Sequence, residues 1–350
     1  MIQHILIIRF RRVGDSVLSM ALCHSLRQSF PQAKIHFVIN KHIAPLYRNH
    51  PDIDKVIPFS DRENKGMTYL KKVWAIMHQT PYDVIIDMRS TPKTLPFALF
   101  SLHSAYRIGR HKWYNHFIHN FRIPESPQTN RVQSNLALME PLGQEGNLIR
   151  DEHFPLYVSE EERQTYANYL TSKGITFSRP IVLLAVATRI EGKAWPKERM
   201  QEVLSRLITH YSNAQFIMNY GGNAEKALCQ SYYDALGQPC NLFMNVEAPT
   251  LRDLVCLCSL SQFFFGNEGG PRHISQAMGV PSFAIYPPNI DKHFWLPGNS
   301  ANYQGISPDE FVSKAEQQKM TYQERMQLIT IDAVWQQLSS MLNCFLQKEP

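Results

Sequence analysis

The 350-residue sequence predicts an α/β protein of two units, each a parallel sheet wrapped by helices. Strand-like apolar runs alternate with helical ones through the first half, and the same alternation restarts at Ile181 after an interruption. No apolar run approaches the roughly 18 to 20 residues that a membrane-spanning helix needs. At this length two cores can be filled, and an apolar fraction of 44% is ordinary for a globular chain.

In chain order, residues 5–8 read as a buried strand, and Leu18, Leu22 and Leu26 then recur at helical spacing, so the chain turns from strand to helix at Gly14. Residues 35–39, 55–59 and 84–87 read as further strands, with a helix over 67–78 among them. The stretch 151–180 carries Ser159-Glu160-Glu161-Glu162 and then Ser172-Lys173-Gly174, which suits a linker and places a boundary near residue 175. The first domain is thus expected over 1–175. Strands at 181–187, 215–219, 263–266 and 282–286 build a second domain over 176–321. A last helical run, 322–346, is expected to return to the first domain.

Charge is unevenly shared. Residues 1–150 hold 20 Lys plus Arg against 10 Asp plus Glu, whereas the remainder holds 16 against 20, so the front half implies an acidic partner. Residues 97–121 interleave Phe97, Phe100, Tyr106, Trp113, Tyr114 and Phe117 with Arg107, Arg110, His111, Lys112, His116 and His119. Such a mixture suits a glycan, a lipid headgroup boundary or a nucleic acid, or half of its aromatics are core; no established nucleic-acid motif is present. The six cysteines lack paired metal spacing and read as reduced core residues, which with the missing secretion signal points to the cytoplasm.

Three loops carry the chemistry. Asp15 follows the first strand amid Arg9, Arg11 and Arg12, either capping the next helix or serving a site that receives an anionic substrate. In the second domain, the strand at 181–187 leads to Thr188, Arg189 and Lys193, of which the lysine and threonine suit a diphosphate. Glu225, after Gly221-Gly222, suits a ribose or simply the helix dipole. Phe263-Phe264-Phe265-Gly266-Asn267-Glu268-Gly269-Gly270-Pro271-Arg272-His273 is a strand, a glycine pair and a helix start, the geometry that cradles phosphate; Glu268 and His273 add polar side chains. Neither Gly-x-Gly-x-x-Gly nor a Walker lysine occurs, which disfavours dehydrogenases and P-loop enzymes. A metal-free mechanism with no cofactor is expected.

Arg9-Phe10-Arg11-Arg12-Val13-Gly14-Asp15-Ser16, Lys193-Ala194-Trp195-Pro196 and Gly266 to His273 with Gly279-Val280-Pro281 together resemble glycosyltransferase family 9, the lipopolysaccharide heptosyltransferases. The resemblance spans nearly the whole chain. It implies a GT-B architecture of two Rossmann-like domains facing a cleft, with the acceptor in the first and the nucleotide sugar in the second. It also implies an inverting transferase using ADP-heptose as donor and the lipid-linked, anionic lipopolysaccharide inner core as acceptor. Asp15 matches the general base and Lys193 the residue beside the donor phosphates. Thr188, Arg189, Glu225, Glu268, Gly269, Gly270 and His273 fall on the donor side; Arg9, Arg11, Arg12, Arg107 and Arg110 fall on the acceptor side. The family's Asp-Thr-Gly is here Glu268-Gly269-Gly270, so the acid is kept and a hydroxyl is lost. A lipid-linked acceptor implies a peripheral visit to the inner face of the inner membrane through residues 97–121. The rival readings are a non-catalytic glycan- or nucleotide-binding protein, a family member with another donor sugar, and a nucleotide-sugar epimerase.

Overall fold

The structure, a computed structural model, describes residues 2–298 and 300–346. The chain divides into two compact units, Met1–Tyr157 and Val158–Pro350. The first runs β1 (His4–Ile8), α1 (Val13–Val17), α2 (Met20–Ser29), β2 (Lys34–Asn40), β3 (Lys55–Phe59), α3 (Gly66–Gln79), β4 (Val84–Asp87), α4 (Leu95–Leu99), β5 (Tyr106–Arg110), β6 (Phe121–Ile123) and α5 (Arg131–Leu136). Its strands are all parallel, in the order β3-β2-β1-β4-β5-β6. A parallel sheet covered on both faces needs strands apolar on both, which is why Ile5 to Ile8 and Val84 to Ile86 are continuous hydrophobic runs, each fully buried. On one face Phe10, Phe59, Tyr69 and Phe97 interlock edge to face, with Phe10 and Phe59 centroids 5.3 Å apart.

The second unit runs α6 (Glu160–Ser172), β7 (Ile181–Ala185), α7 (Lys197–His210), β8 (Gln215–Met218), α8 (Asn223–Ala235), β9 (Leu242–Phe243), α9 (Leu251–Ser259), β10 (Phe263–Asn267), α10 (Gly270–Ala277), β11 (Ser282–Ile285), α11 (Lys292–Trp295), β12 (Tyr303–Ile306), α12 (Lys314–Gln317), α13 (Tyr322–Gln327) and α14 (Ile331–Leu346). Its parallel order, β12-β11-β10-β7-β8-β9, repeats that of the first unit: the first strand of each pairs with both the second and the fourth. The strand order therefore reverses between β1 and β4, and again between β7 and β10. Ligands of open α/β sheets settle at the carboxyl ends of such strand pairs.

Two boundaries differ from the sequence expectation. The division falls after Tyr157 rather than near residue 175, because the expected linker is a capped helix of the second unit. Ser159 and Glu162 form a reciprocal capping box at the start of α6, and Arg252 of α9 donates to both Glu162 oxygens, at 2.9 and 2.5 Å. The Arg252 hydrogen bond, acting against burial, draws the Glu162 carboxyl down to about 2. A depressed folded-state value contributes stability above the ordinary carboxylate range, and that contribution is lost as pH falls through about 2. Arg252→Met is expected to lower the second unit's stability by about 2–3 kcal/mol at neutral pH in urea unfolding. The deficit should shrink on acidification, as Glu162 protonates in parent and variant alike.

The last helical run is also placed differently. It forms α13 and α14, and α14 packs on α7 within the second core, with Val334, Leu338, Met341 and Leu342 among Val203, Leu204 and Leu207, rather than returning to the first domain. The Trp195 indole N–H donates to the Ile329 carbonyl at 3.1 Å, and Arg199 donates to Gln327 and Ile329, each at 2.7 Å.

Candidate active site

In the first unit the chain leaves β1 through an arginine-rich turn. Arg11 sits in the left-handed region at φ 84°, pinned by its backbone N–H to Asn40 Oδ1 at 2.7 Å, and Ser90, beyond β4, does the same at φ 50°. Non-glycine residues held there cost about 1–3 kcal/mol each and cluster where function fixes the backbone. Between these turns lies Asp15, in the first turn of α1. It does not occupy the capping position, which is Arg12. Its carboxylate is instead ion-paired to Arg9, and Arg131 at the start of α5 reaches the same oxygen at 2.9 Å.

Around this pair the guanidinium groups crowd. Burial, reinforced by Arg131, Arg89 and Arg110 and opposed by Asp15, lowers the Arg9 value to about 10. Burial likewise lowers Arg110 to about 10, against the pull of Glu125 at 3.7 Å. Arg89 and Lys93 are lowered too, by burial and then by the nearby Arg11. The Arg9 Nε and the Arg110 Nε and Nη1 are buried without a hydrogen-bond partner. Buried donors of this kind are costly unless a negatively charged group meets them.

Of the expected acceptor residues, Arg9 pairs with Asp15, whereas Arg110 lies near Arg9 and Arg131 and faces Glu125. Arg11 contributes charge beside Arg89, and Arg12 is exposed on the turn. Arg107 is different: its guanidinium donates to the carbonyls of Ile118 (2.8 Å), Leu102 and Ser104 (both 2.7 Å), so it braces loops rather than facing a ligand. Arg89 and Arg131 were not foreseen. Arg89 lies just past the carboxyl end of β4, a position the strand-end rule singles out; Arg131 is 116 residues from Asp15 and carries no local signal.

In the second unit, Asn267 closes the switch point. Its amide donates to the Val186 carbonyl at 2.6 Å and accepts from the Trp195 backbone at 3.0 Å, tying the loop after β7 to the end of β10. That loop holds Thr188, whose hydroxyl donates to the Ile190 carbonyl at 2.7 Å, the exposed Arg189, and Lys193 at the end of a short 3-10 turn. Glu268 follows Asn267. Burial raises its carboxyl, but the His273 hydrogen bond and the charges of Arg272 and Lys193 outweigh that and hold it below the usual carboxylate range.

His273 was expected to face the donor. It is instead buried, with Nε2 3.4 Å from Glu268, and Arg272 contacts Nδ1 at 2.6 Å. Arginine can only donate, and the same Arg272 nitrogen lies 3.2 Å from Nε2. Arg272, fully buried, also donates to Gln276 Oε1 at 2.6 Å and to the Trp295 carbonyl at 2.7 Å. Gly269 and Gly270 open α10, leaving first-turn N–H groups of the kind that bind anions. Glu225 folds back on its own turn, where the Gly221 N–H donates to it at 2.6 Å. Among the described residues no group of three His, Cys, Asp or Glu side chains is arranged to hold a metal ion.

A family model for glycosyltransferase family 9 (heptosyltransferase) matches residues 70–326. The chain belongs to that family. This family 9 glycosyltransferase is 20% identical over 296 residues to lipopolysaccharide heptosyltransferase 1 of Campylobacter coli, covering 81% of this chain and 83% of that protein. Among solved structures, a family 9 glycosyltransferase from Veillonella parvula DSM 2008 superposes with a TM-score of 0.79 at 18% identity over 97% of each chain. E. coli ADP-heptose LPS heptosyltransferase II does so with a TM-score of 0.76 at 20% identity, over 97% of this chain and 98% of that one. These likenesses establish the fold, GT-B with two Rossmann-like units. No helix among the described residues of the family 9 chain is long and apolar enough to cross a membrane.

Proposed function

We propose that this glycosyltransferase transfers heptose from ADP-heptose to the lipopolysaccharide inner core, with inversion and without a metal, Asp15 serving as general base. The observation that carries the reading is the Asp15 carboxylate held between Arg9 and Arg131, with buried guanidinium N–H groups of Arg9 and Arg110 nearby that make no hydrogen bond. Those donors suit the phosphate or carboxylate groups of an anionic acceptor. The donor is assigned to the second unit, its diphosphate to Lys193, Thr188 and the first-turn N–H groups of α10. The named relatives supply the sugar and the acceptor.

In the reaction an acceptor hydroxyl oxygen attacks the anomeric carbon from the face opposite the diphosphate. Asp15 takes the hydroxyl proton, the anomeric C–O bond to phosphate breaks, and ADP leaves with the bonding pair. A single displacement inverts the carbon. Lys193 and the helix start then meet charge as it develops on the leaving oxygen. The acceptor's lipid brings the enzyme to the inner face of the inner membrane as a peripheral visitor.

Calorimetry of ADP, GDP, UDP and NAD with chelator present, followed by ADP release from ADP-heptose plus a truncated core acceptor, tests the reading. Selective ADP binding with acceptor-dependent release is expected. Tight binding of another nucleotide replaces the donor, binding of none favours the non-catalytic rival, and release of an epimerised sugar without acceptor favours the epimerase. Lys193→Ala is expected to lower kcat by about 10²–10³-fold and to weaken ADP binding, both read in the same assays.

A further inference from the structure

Between Asp87 and Glu125 the sequence contains no acidic residue, while Arg89, Lys93, Arg107, Arg110, Lys112 and Arg122 lie within it. Four apolar side chains of this run stand out in water: Trp113 and Phe117, each 84% exposed, with Leu102 at 53% and Leu99 at 47%. Leu99 ends α4, and the other three are carried on two loops, 100–105 and 111–120, on either side of β5. Large apolar groups are rarely presented this way on a surface that meets only solvent.

The loops are laced together. Arg107 donates to Leu102 and Ser104 on the first and to Ile118 on the second, and the Asn120 amide donates to the Ala105 carbonyl at 2.7 Å while accepting the Arg107 N–H at 2.7 Å. Within the second loop, Asn115 and His119 are buried and point inward. The Asn115 amide donates to the Arg110 carbonyl at 2.8 Å and lies 3.0 Å from His119 Nδ1. Two inward anchors leave Trp113 and Phe117, four residues apart, no place but outward. The loop is also rooted at the candidate site: it starts directly after Arg110, and the Tyr114 hydroxyl donates to the Ser90 carbonyl at 2.8 Å.

We propose that Trp113, Phe117, Leu102 and Leu99 form a wedge that enters the headgroup and acyl boundary of an anionic bilayer, with Arg122 and Lys112 on lipid phosphates. Lys112, 4.0 Å from Glu125, exchanges that contact for the lipid; Arg122 is exposed. Indole and phenyl rings favour this boundary, and a run with no carboxylate of its own and several cations attracts anionic lipid. The inference deepens the membrane visit proposed above and rests on that reading. It differs from it in assigning the contact to apolar side chains, since Arg107 and Arg110 are engaged within the fold.

The test is sedimentation of the full chain with phosphatidylcholine vesicles, with and without phosphatidylglycerol. The parent should bind the mixed vesicles, and the Trp113→Ala/Phe117→Ala variant should bind about tenfold or more weakly. Transfer to a deacylated, water-soluble core oligosaccharide should proceed at the parent rate, which also shows the variant is folded. Brominated acyl chains should quench parent tryptophan fluorescence, and Trp113→Phe should remove that quenching. If the parent binds and the double variant binds equally, the wedge is overturned while the membrane visit stands. If the parent binds no vesicles, both fall, and the transferase reading is still judged by the soluble acceptor. If the double variant instead abolishes concentration-dependent self-association of a parent that ignores lipid, the patch joins two copies of the chain and the proposal is wrong.

Discussion

Asp15→Asn is expected to lower kcat by on the order of 10²- to 10⁴-fold while leaving ADP affinity nearly unchanged. The amide keeps the shape of the carboxylate and an oxygen for Arg9 and Arg131, but it cannot take a proton from the acceptor hydroxyl. Because the residue belongs to the first unit and the nucleotide is assigned to the second, the loss should appear in turnover and not in nucleotide binding. Initial rates with ADP-heptose and a core acceptor, beside calorimetric ADP titration, separate the two. Circular dichroism melting accounts for any destabilisation from leaving Arg9 and Arg131 without a counter-charge. Normal turnover of the variant would return Asp15 to the role of counter-ion, and the base would have to be sought elsewhere. A protein that only binds sugars or nucleotides would show no turnover before or after the change.

Gly266→Ala should be the most damaging single-methyl change in the second unit. Gly266 pairs with Ala185 across the β7–β10 switch point, and a Cβ there would lie 2.2 Å from the Ala185 carbonyl oxygen and 2.6 Å from its carbon. Those atoms are backbone in a central parallel pair, so no side chain can swing away. The two strands must separate, and with them the Asn267 bridge to Val186 and Trp195. A loss exceeding about 4 kcal/mol is expected, seen as collapse of soluble yield or a large fall in the urea midpoint, with ADP binding lost alongside. Gly269→Ala is the control. Its backbone is extended, and an added Cβ meets nothing closer than Pro271 Cδ at 3.8 Å, so stability should stay within about 0.5 kcal/mol. Equal damage from both changes would mean that β7 and β10 do not approach as closely as described.

The central strands were legible because parallel, doubly covered strands must be apolar throughout: 84–87, 181–185 and 263–267 announce themselves. β5 did not. Tyr106-Arg107-Ile108-Gly109-Arg110 alternates with cations, and the usual inference sends such arginines to solvent, whereas Arg107 turns onto carbonyls and Arg110 into a buried guanidinium cluster. β9 is two residues long, too brief for a pattern to form. The mixed reading of residues 97–121 resolves by side chain: Phe97 is core, Trp113 and Phe117 are surface. The residues proposed for the site could be read where strand ends give positions, as at Asp15, Lys193 and Glu268. It was illegible where the partner is distant in sequence, as with Arg131, or where a polar residue serves another side chain, as His273 serves Glu268.

The way the second core is closed has a consequence for how the chain assembles. The six strands of the first unit are complete by Ile123 and its last labelled helix, α5, by Leu136, so that unit can finish while the rest is still being synthesised. The second unit cannot. Its helix α7 and the fully buried Trp195 await Ile329 and the face of α14 from Val334 to Leu342, which are synthesised after every strand of the second sheet. A nascent chain therefore carries one finished unit and one unit with an uncovered apolar flank until α14 arrives. That interval is when chaperones or proteases would meet it.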